Sequence, residues 1–134
     1  MLTIAVLTTA LLFGGMVLYS FGFAAFIFKA LPADMAGATL RRAFPLFYLF
    51  VMGTAAVATA LMLPYDLLAG GLLATILVTA LPTRQLLMPA INRATDSGAR
   101  SRFHALHGLS VVITLFHIAL AGLVLVRLAA GTSA

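Results

Sequence analysis

All three histidines of this 134-residue chain lie in its last apolar stretch. His104 and His107 stand in Arg102-Phe103-His104-Ala105-Leu106-His107-Gly108-Leu109-Ser110, and His117 follows. Imidazole serves as a ligand for zinc, copper and haem iron, and its ordinary pKa of about 6.5 lets it trade protons near neutrality. On a helix turning about 100° per residue, His107, Ser110, Thr114, His117 and Ala121 fall within roughly 80° of one another, with His104 about 60° to the other side of His107. That is one polar stripe on an oily helix. Inside a membrane such a stripe is costly unless it faces protein, water or a ligand.

Three kinds of chemistry suit the stripe. His104 and His107, three residues apart, could touch one metal ion, and His107 with His117 are the candidate metal ligands. A closed metal site normally wants three or four ligands, and the chain has no cysteine and no glutamate. Because all the imidazoles share one segment, a bis-histidine haem would need a homodimer to supply both axial ligands. Proton-coupled or permeation chemistry is the second kind, with hydroxyls beside a histidine at depth. The third is anion binding, since Arg41, Arg42, Arg84, Arg93, Arg100 and Arg102 gather at one level, where basic groups attract anionic lipid headgroups. No P-loop, nucleophile elbow or His-Glu-x-x-His helix is present, so the chain reads as non-enzymatic.

The frame that must hold these residues follows from composition. The chain is 63% hydrophobic and 8% charged, against about 45–50% and about 25% in soluble domains. It reads as one integral membrane domain. One lysine and seven arginines face three aspartates. They cluster between apolar runs and form no groove-binding stripe, which excludes nucleic acid as a partner. With no basic stretch before the first apolar run, that run reads as a mature transmembrane helix and not a cleaved leader.

Four spans of the length needed to cross about 30 Å of hydrocarbon are expected at about residues 2–29, 39–62, 66–87 and 102–128. The predicted fold is all-α, a four-helix transmembrane bundle of up-down topology. Thr8, Gly15, Gly22 and Lys29 recur on one face of the first span, where bare glycines allow close packing. Leu31-Pro32-Ala33-Asp34 breaks the chain. In the third span Gly71, Ala74, Val78, Leu81, Gln85, Met88 and Asn92 share a face and are expected to form a buried seam, with a kink at Pro82. Residues 89–100 are expected to be the long polar connection, Ser101 to cap the fourth helix, and residues 129–134 to be a disordered tail. Lys29, Arg41, Arg42, Arg84, Arg93, Arg100 and Arg102 lie toward one side and Arg127 toward the other. By the positive-inside rule both termini are then outside the cytoplasm.

Four motifs in order, Gly15…Gly22-Phe23…Phe26…Leu31-Pro32, Arg42-Ala43-Phe44-Pro45-Leu46-Phe47-Tyr48, Met88-Pro89…Asn92-Arg93-Ala94-Thr95-Asp96 and Arg102 to Ser110, give the chain its resemblance to the transmembrane protein 205-like family. The resemblance implies a four-helix protein of the bacterial inner membrane, with the Phe-Pro segment opening the second helix and His-Gly opening the fourth. It also implies that Phe44, Pro45, Asp96 and Gly108 are structural motif positions. Its human namesake's link to platinum-drug resistance hints at transport or trafficking.

The site expected from these readings is bounded by His104, His107, Ser110 and His117 of the fourth helix, Asn92 and Gln85 of the third, Tyr48 of the second, and Gly15 and Gly22 of the first. Its expected task is handling a small solute or ion, which requires no cofactor. A haem- or metal-binding redox module, dimeric, is the second reading. A structural partner of a larger membrane complex, or a homo-oligomer, is the third.

Overall fold

Hydrocarbon offers a peptide group no partner, so each oily run satisfies its N–H and C=O groups along itself. The computed structural model describes residues 1–131, and four rods result: α1 (Leu2–Ala30), α2 (Ala33–Met62), α3 (Leu67–Asp96) and α4 (Arg100–Gly131). All four are long and apolar enough to cross a membrane, and no strand occurs among the described residues. At 1.5 Å per residue each rod is roughly 45 Å long, so its ends reach past the hydrocarbon. This is an integral membrane protein.

Local chemistry sets the breaks. Leu31 is extended (φ −122°, ψ 151°) because the Pro32 ring disfavours helical backbone before it, and Pro32 then caps α2. Asp66 caps α3, its Oδ1 accepting the Ala69 N–H at 3.0 Å. At the end of α3, Gly98 takes φ +69°. The Ala99 N–H bonds the Ala94 carbonyl and the Gly98 N–H bonds the Thr95 carbonyl. This paired closure is the Schellman motif, and it needs a residue at ease in left-handed backbone.

Those caps correct several expectations. The segment expected as a long polar connection is helical through Asp96, leaving only residues 97–99 as turn. The second helix opens at Ala33 and not Thr39, so Pro45 lies inside it. The fourth opens at Arg100, before Ser101, and continues to Gly131. Residues 129–131 are therefore helix, and the remainder of the expected disordered tail lies outside the described residues. At Pro82 the missing N–H is met by a π turn over Thr83–Leu87, and a second π turn covers Leu18–Phe23 in α1. Widened turns of this kind absorb a disrupted hydrogen-bond ladder.

Each helix packs on two others, α1 on α2 and α4, and α3 on α2 and α4. Across this ring Tyr19 stacks on Phe47 with ring centroids 4.6 Å apart, and a Cβ on Gly15 would meet the Phe50 ring, which sets α1 and α2 antiparallel. The buried positions recur at spacings of four and three: Ala5, Thr9, Leu12, Met16; Val51, Ala55, Ala58, Met62; Ala69, Leu73, Ile76, Ala80; His117, Ala121, Val124. A seam repeating every seven residues is the signature of side chains interlocking along nearly parallel axes. The seam expected on α3 is instead its outer face: Val78 is 68% exposed, and Gly71, Leu81 and Gln85 also point away from the bundle. The helix is oily all round, so periodicity alone does not choose a side.

Ion pairs fasten both ends of α3. Arg41 Nη1 and Nη2 bond Asp96 Oδ1 and Oδ2 at 2.6 and 2.8 Å, tying the start of α2 to the end of α3. Arg127 Nε bonds Asp66 Oδ2 at 2.6 Å, tying the end of α4 to the start of α3. The Arg127 bond, reinforced by the Ala69 amide, holds the Asp66 carboxyl below the usual carboxylate range. A carboxyl so depressed contributes fully above its unfolded value of about 4 and loses that contribution as pH falls through the folded value. The thermal unfolding midpoint in detergent is expected to drop below about pH 4, and Asp66→Asn to flatten that part of the profile. Parallel profiles would remove this clamp from the account.

Packing supplies a second expectation. A Cβ on Gly15 would lie 2.6 Å from the Phe50 ring, whereas one on Gly14 meets nothing within 4 Å. Gly15→Val should cost about 1–3 kcal/mol through overpacking, and Gly14→Val much less, as read from unfolding in detergent.

Candidate functional site

The third and fourth helices carry the polar groups that meet inside the bundle. Thr75, Thr79 and Thr83 sit four residues apart on α3, and their hydroxyls donate to the carbonyls of Gly71, Thr75 and Thr79 at 2.9, 2.6 and 2.8 Å. In lipid this back-bonding is how a helix keeps a hydroxyl satisfied without a partner element. Thr79 does more: its Oγ1 lies 2.7 Å from His117 Nε2 on α4. One hydroxyl proton serves one acceptor. With that proton on the Thr75 carbonyl, the pair is complete when Nε2 carries the ring proton and donates to Thr79. His117 is 2% exposed, and Tyr48 of α2 is also 2% exposed.

The rest of the expected stripe does not join this centre. His104 and His107 are exposed. The His107 ring stacks on Phe103 at 5.4 Å and 7°, and His104 meets the same ring edge-on. Ser110 Oγ donates to its own helix at the His107 carbonyl, 2.7 Å away. The reason lies in the neighbours: α1 packs on α4 through its first half, before the π turn. Within the turn, Tyr19 and Phe23 belong to an aromatic cluster with Phe44 and Phe47 of α2. The basic end of α4 is thus covered chiefly by α3.

Gly22 and Gln85 are exposed, and Gln85 Oε1 accepts Arg84 Nη1 at 3.2 Å. Asn92 is half-buried, and Gly15 faces Phe50. Phe44 belongs to the aromatic cluster, the Pro45 carbonyl accepts Arg84 Nε at 3.2 Å, Asp96 pairs with Arg41, and Gly108 faces open space. Gly108 lies well inside α4 and does not open it. His107 and His117, ten residues apart on one helix, are separated by about 15 Å along its axis. They do not meet at one ion within a chain. No group of three or more His, Cys, Asp or Glu able to hold a metal occurs among the described residues.

Two openings lie along the α3–α4 seam instead. The first is a groove of about 480 Å³ lined by Thr79, Pro82, Thr83, Leu86, Leu87 and Ala90 of α3 and Leu109, Ile113 and Phe116 of α4. Apart from the two threonines its walls are apolar. The second, about 550 Å³, lies between the last turn of α3 and the first of α4, lined by Arg93, Ala94, Asp96, Ser97, Ala99 and Arg102. Sequence reasoning missed Thr79 and Thr83. Their four-residue spacing was visible in the chain, but the side of α3 they occupy was not.

Removing the hydroxyl with Thr79→Val leaves the buried imidazole without its partner and should cost about 1–3 kcal/mol. Thr75→Val, whose hydroxyl bonds only its own helix, should cost less in the same detergent unfolding measurement.

A family model described as a domain of unknown function (DUF4149) matches residues 7–100. That stretch holds the α3 half of the groove and excludes nearly all of α4. The match carries this description and not the transmembrane protein 205-like name that the motifs suggest. No curated protein and no solved structure matches the chain. With the match running from α1 through the whole of α3, the chain belongs to the DUF4149 family of domains of unknown function.

Proposed function

We propose that this protein is a non-enzymatic membrane module that takes an elongated apolar solute sideways from the bilayer into the α3–α4 groove. The observation that carries the reading is the groove itself, open at the helix seam and walled by Pro82, Leu86, Leu87, Ala90, Leu109, Ile113 and Phe116. Apolar, concave surface between bundle helices is where such ligands bind. Thr79, held by His117, supplies a polar contact in the wall. The stripe of histidines expected to line a path for a small polar solute is divided between the interior and the surface, which favours the apolar solute.

The basic end, carrying Lys29, Arg41, Arg42, Arg93, Arg100 and Arg102, faces the cytoplasm in this reading, in keeping with the positive-inside rule. Ser97 and Tyr65 are exposed in turns at opposite ends, and the chain has no cysteine of its own. In intact bacterial cells a membrane-impermeant maleimide should label Tyr65→Cys and reach Ser97→Cys only after permeabilisation. The opposite pattern would invert the orientation.

For the groove, the purified protein should bind a fluorescent fatty-acid probe. Ala90→Phe, which puts a ring into the groove, should weaken binding by about tenfold, a change of about 1.4 kcal/mol. Val78→Phe, on the outer face of α3, should leave it unchanged. Equal binding by all three proteins would overturn the reading.

A further inference from the structure

We propose that the Arg93–Arg102 pocket holds the headgroup of one anionic phospholipid whose acyl chain lies in the α3–α4 groove, which makes the solute a phosphate-bearing amphiphile. The inference rests on the groove reading above and adds the chemistry of the ligand's other end. Its first support is that the two openings follow one another along the same helix seam. From Thr79 to Ala90 the groove follows α3 for eleven residues, about 16 Å at 1.5 Å per residue. That is close to one leaflet's share of roughly 30 Å of hydrocarbon. Arg93 comes one turn later, at the level where a headgroup begins.

The second support is the charge balance of the pocket. Asp96 lines the same opening, but both of its carboxylate oxygens are taken by Arg41 from α2. Arg93 and Arg102 form no ion pair among the described residues, so their charge remains for a ligand. Arg84, by contrast, is tied to the Pro45 carbonyl and to Gln85. Two guanidiniums present planar donor forks, the geometry that suits phosphate oxygens. The turn between them is held by the Schellman closure at Gly98, so the helix ends that carry the arginines are fixed relative to each other.

The test is native mass spectrometry of the full chain released from vesicles of equal phosphatidylglycerol and phosphatidylcholine. The wild type should retain a single phosphatidylglycerol with about tenfold preference, two headgroup-level charges contributing. Arg93→Gln with Arg102→Gln should abolish the preference while phosphatidylcholine is still retained, and Arg42→Gln, outside the pocket, should keep it. Ala90→Phe should reduce retention of both lipids. If the double arginine variant keeps the preference while Ala90→Phe loses both lipids, the headgroup site is refuted and the groove stands. If Ala90→Phe retains both, the groove reading itself fails. Displacement of the retained lipid by millimolar inorganic phosphate would identify a free-anion site and overturn the lipid assignment.

Discussion

In hydrocarbon a backbone amide has no solvent to fall back on, and that constraint governs every level of this protein. It forces four long helices, and it dictates how polar side chains behave once they are there. Thr9, Thr54, Thr75, Thr79, Thr83 and Ser110 each return a hydroxyl proton to a carbonyl of their own helix. Where the ladder is interrupted, as at Pro82, the chain widens into a π turn and stays helical. The helix ends, which reach beyond the hydrocarbon, are where charge-assisted closures appear: Asp66 with Arg127, and Asp96 with Arg41.

Packing is then a matter of fit, because lipid tails are as apolar as the helices. The seams are lined largely by alanine, with Leu12, Leu73, Ile76, Val51 and Val124 interleaved. Two hydroxyls, Ser20 in the π turn of α1 and Thr59 of α2, are buried without a hydrogen-bond partner among the described residues. Against that background the Thr79–His117 contact stands out as a part-buried hydrogen bond between helices. It links α3 to α4 at the level where the groove begins, and its geometry is set by the threonine rail beneath it.

The α3–α4 seam differs from the others in being incompletely filled. Pro82 and the π turn that follows form one wall of the groove, while at the basic end of α4 the neighbouring α1 has turned to the aromatic cluster of Tyr19, Phe23, Phe44 and Phe47. The consequence is a concave strip of apolar surface, with a pocket lined by two arginines further along the same seam. The family description assigns no activity to this arrangement, and the functional reading comes from its shape and charge.

The amino-acid sequence alone was enough to establish the membrane class, the count of four helices, the break at Leu31-Pro32 and the disruption at Pro82. These depend on composition and on backbone chemistry local to each residue. Tertiary structure alone decided which side of each helix faces inward. A soluble helix advertises its core by amphipathic contrast, but α3 is apolar on both sides, so Val78 and Ile76 look alike in sequence and end on opposite faces. For the same reason the stripe from His104 to His117 read as one surface. Whether an imidazole on α4 is buried depends on which neighbour covers that turn, and α1 covers only the lower one. The site was legible in its residue types and illegible in its partners, because the partners lie on other helices and their meeting is a property of packing.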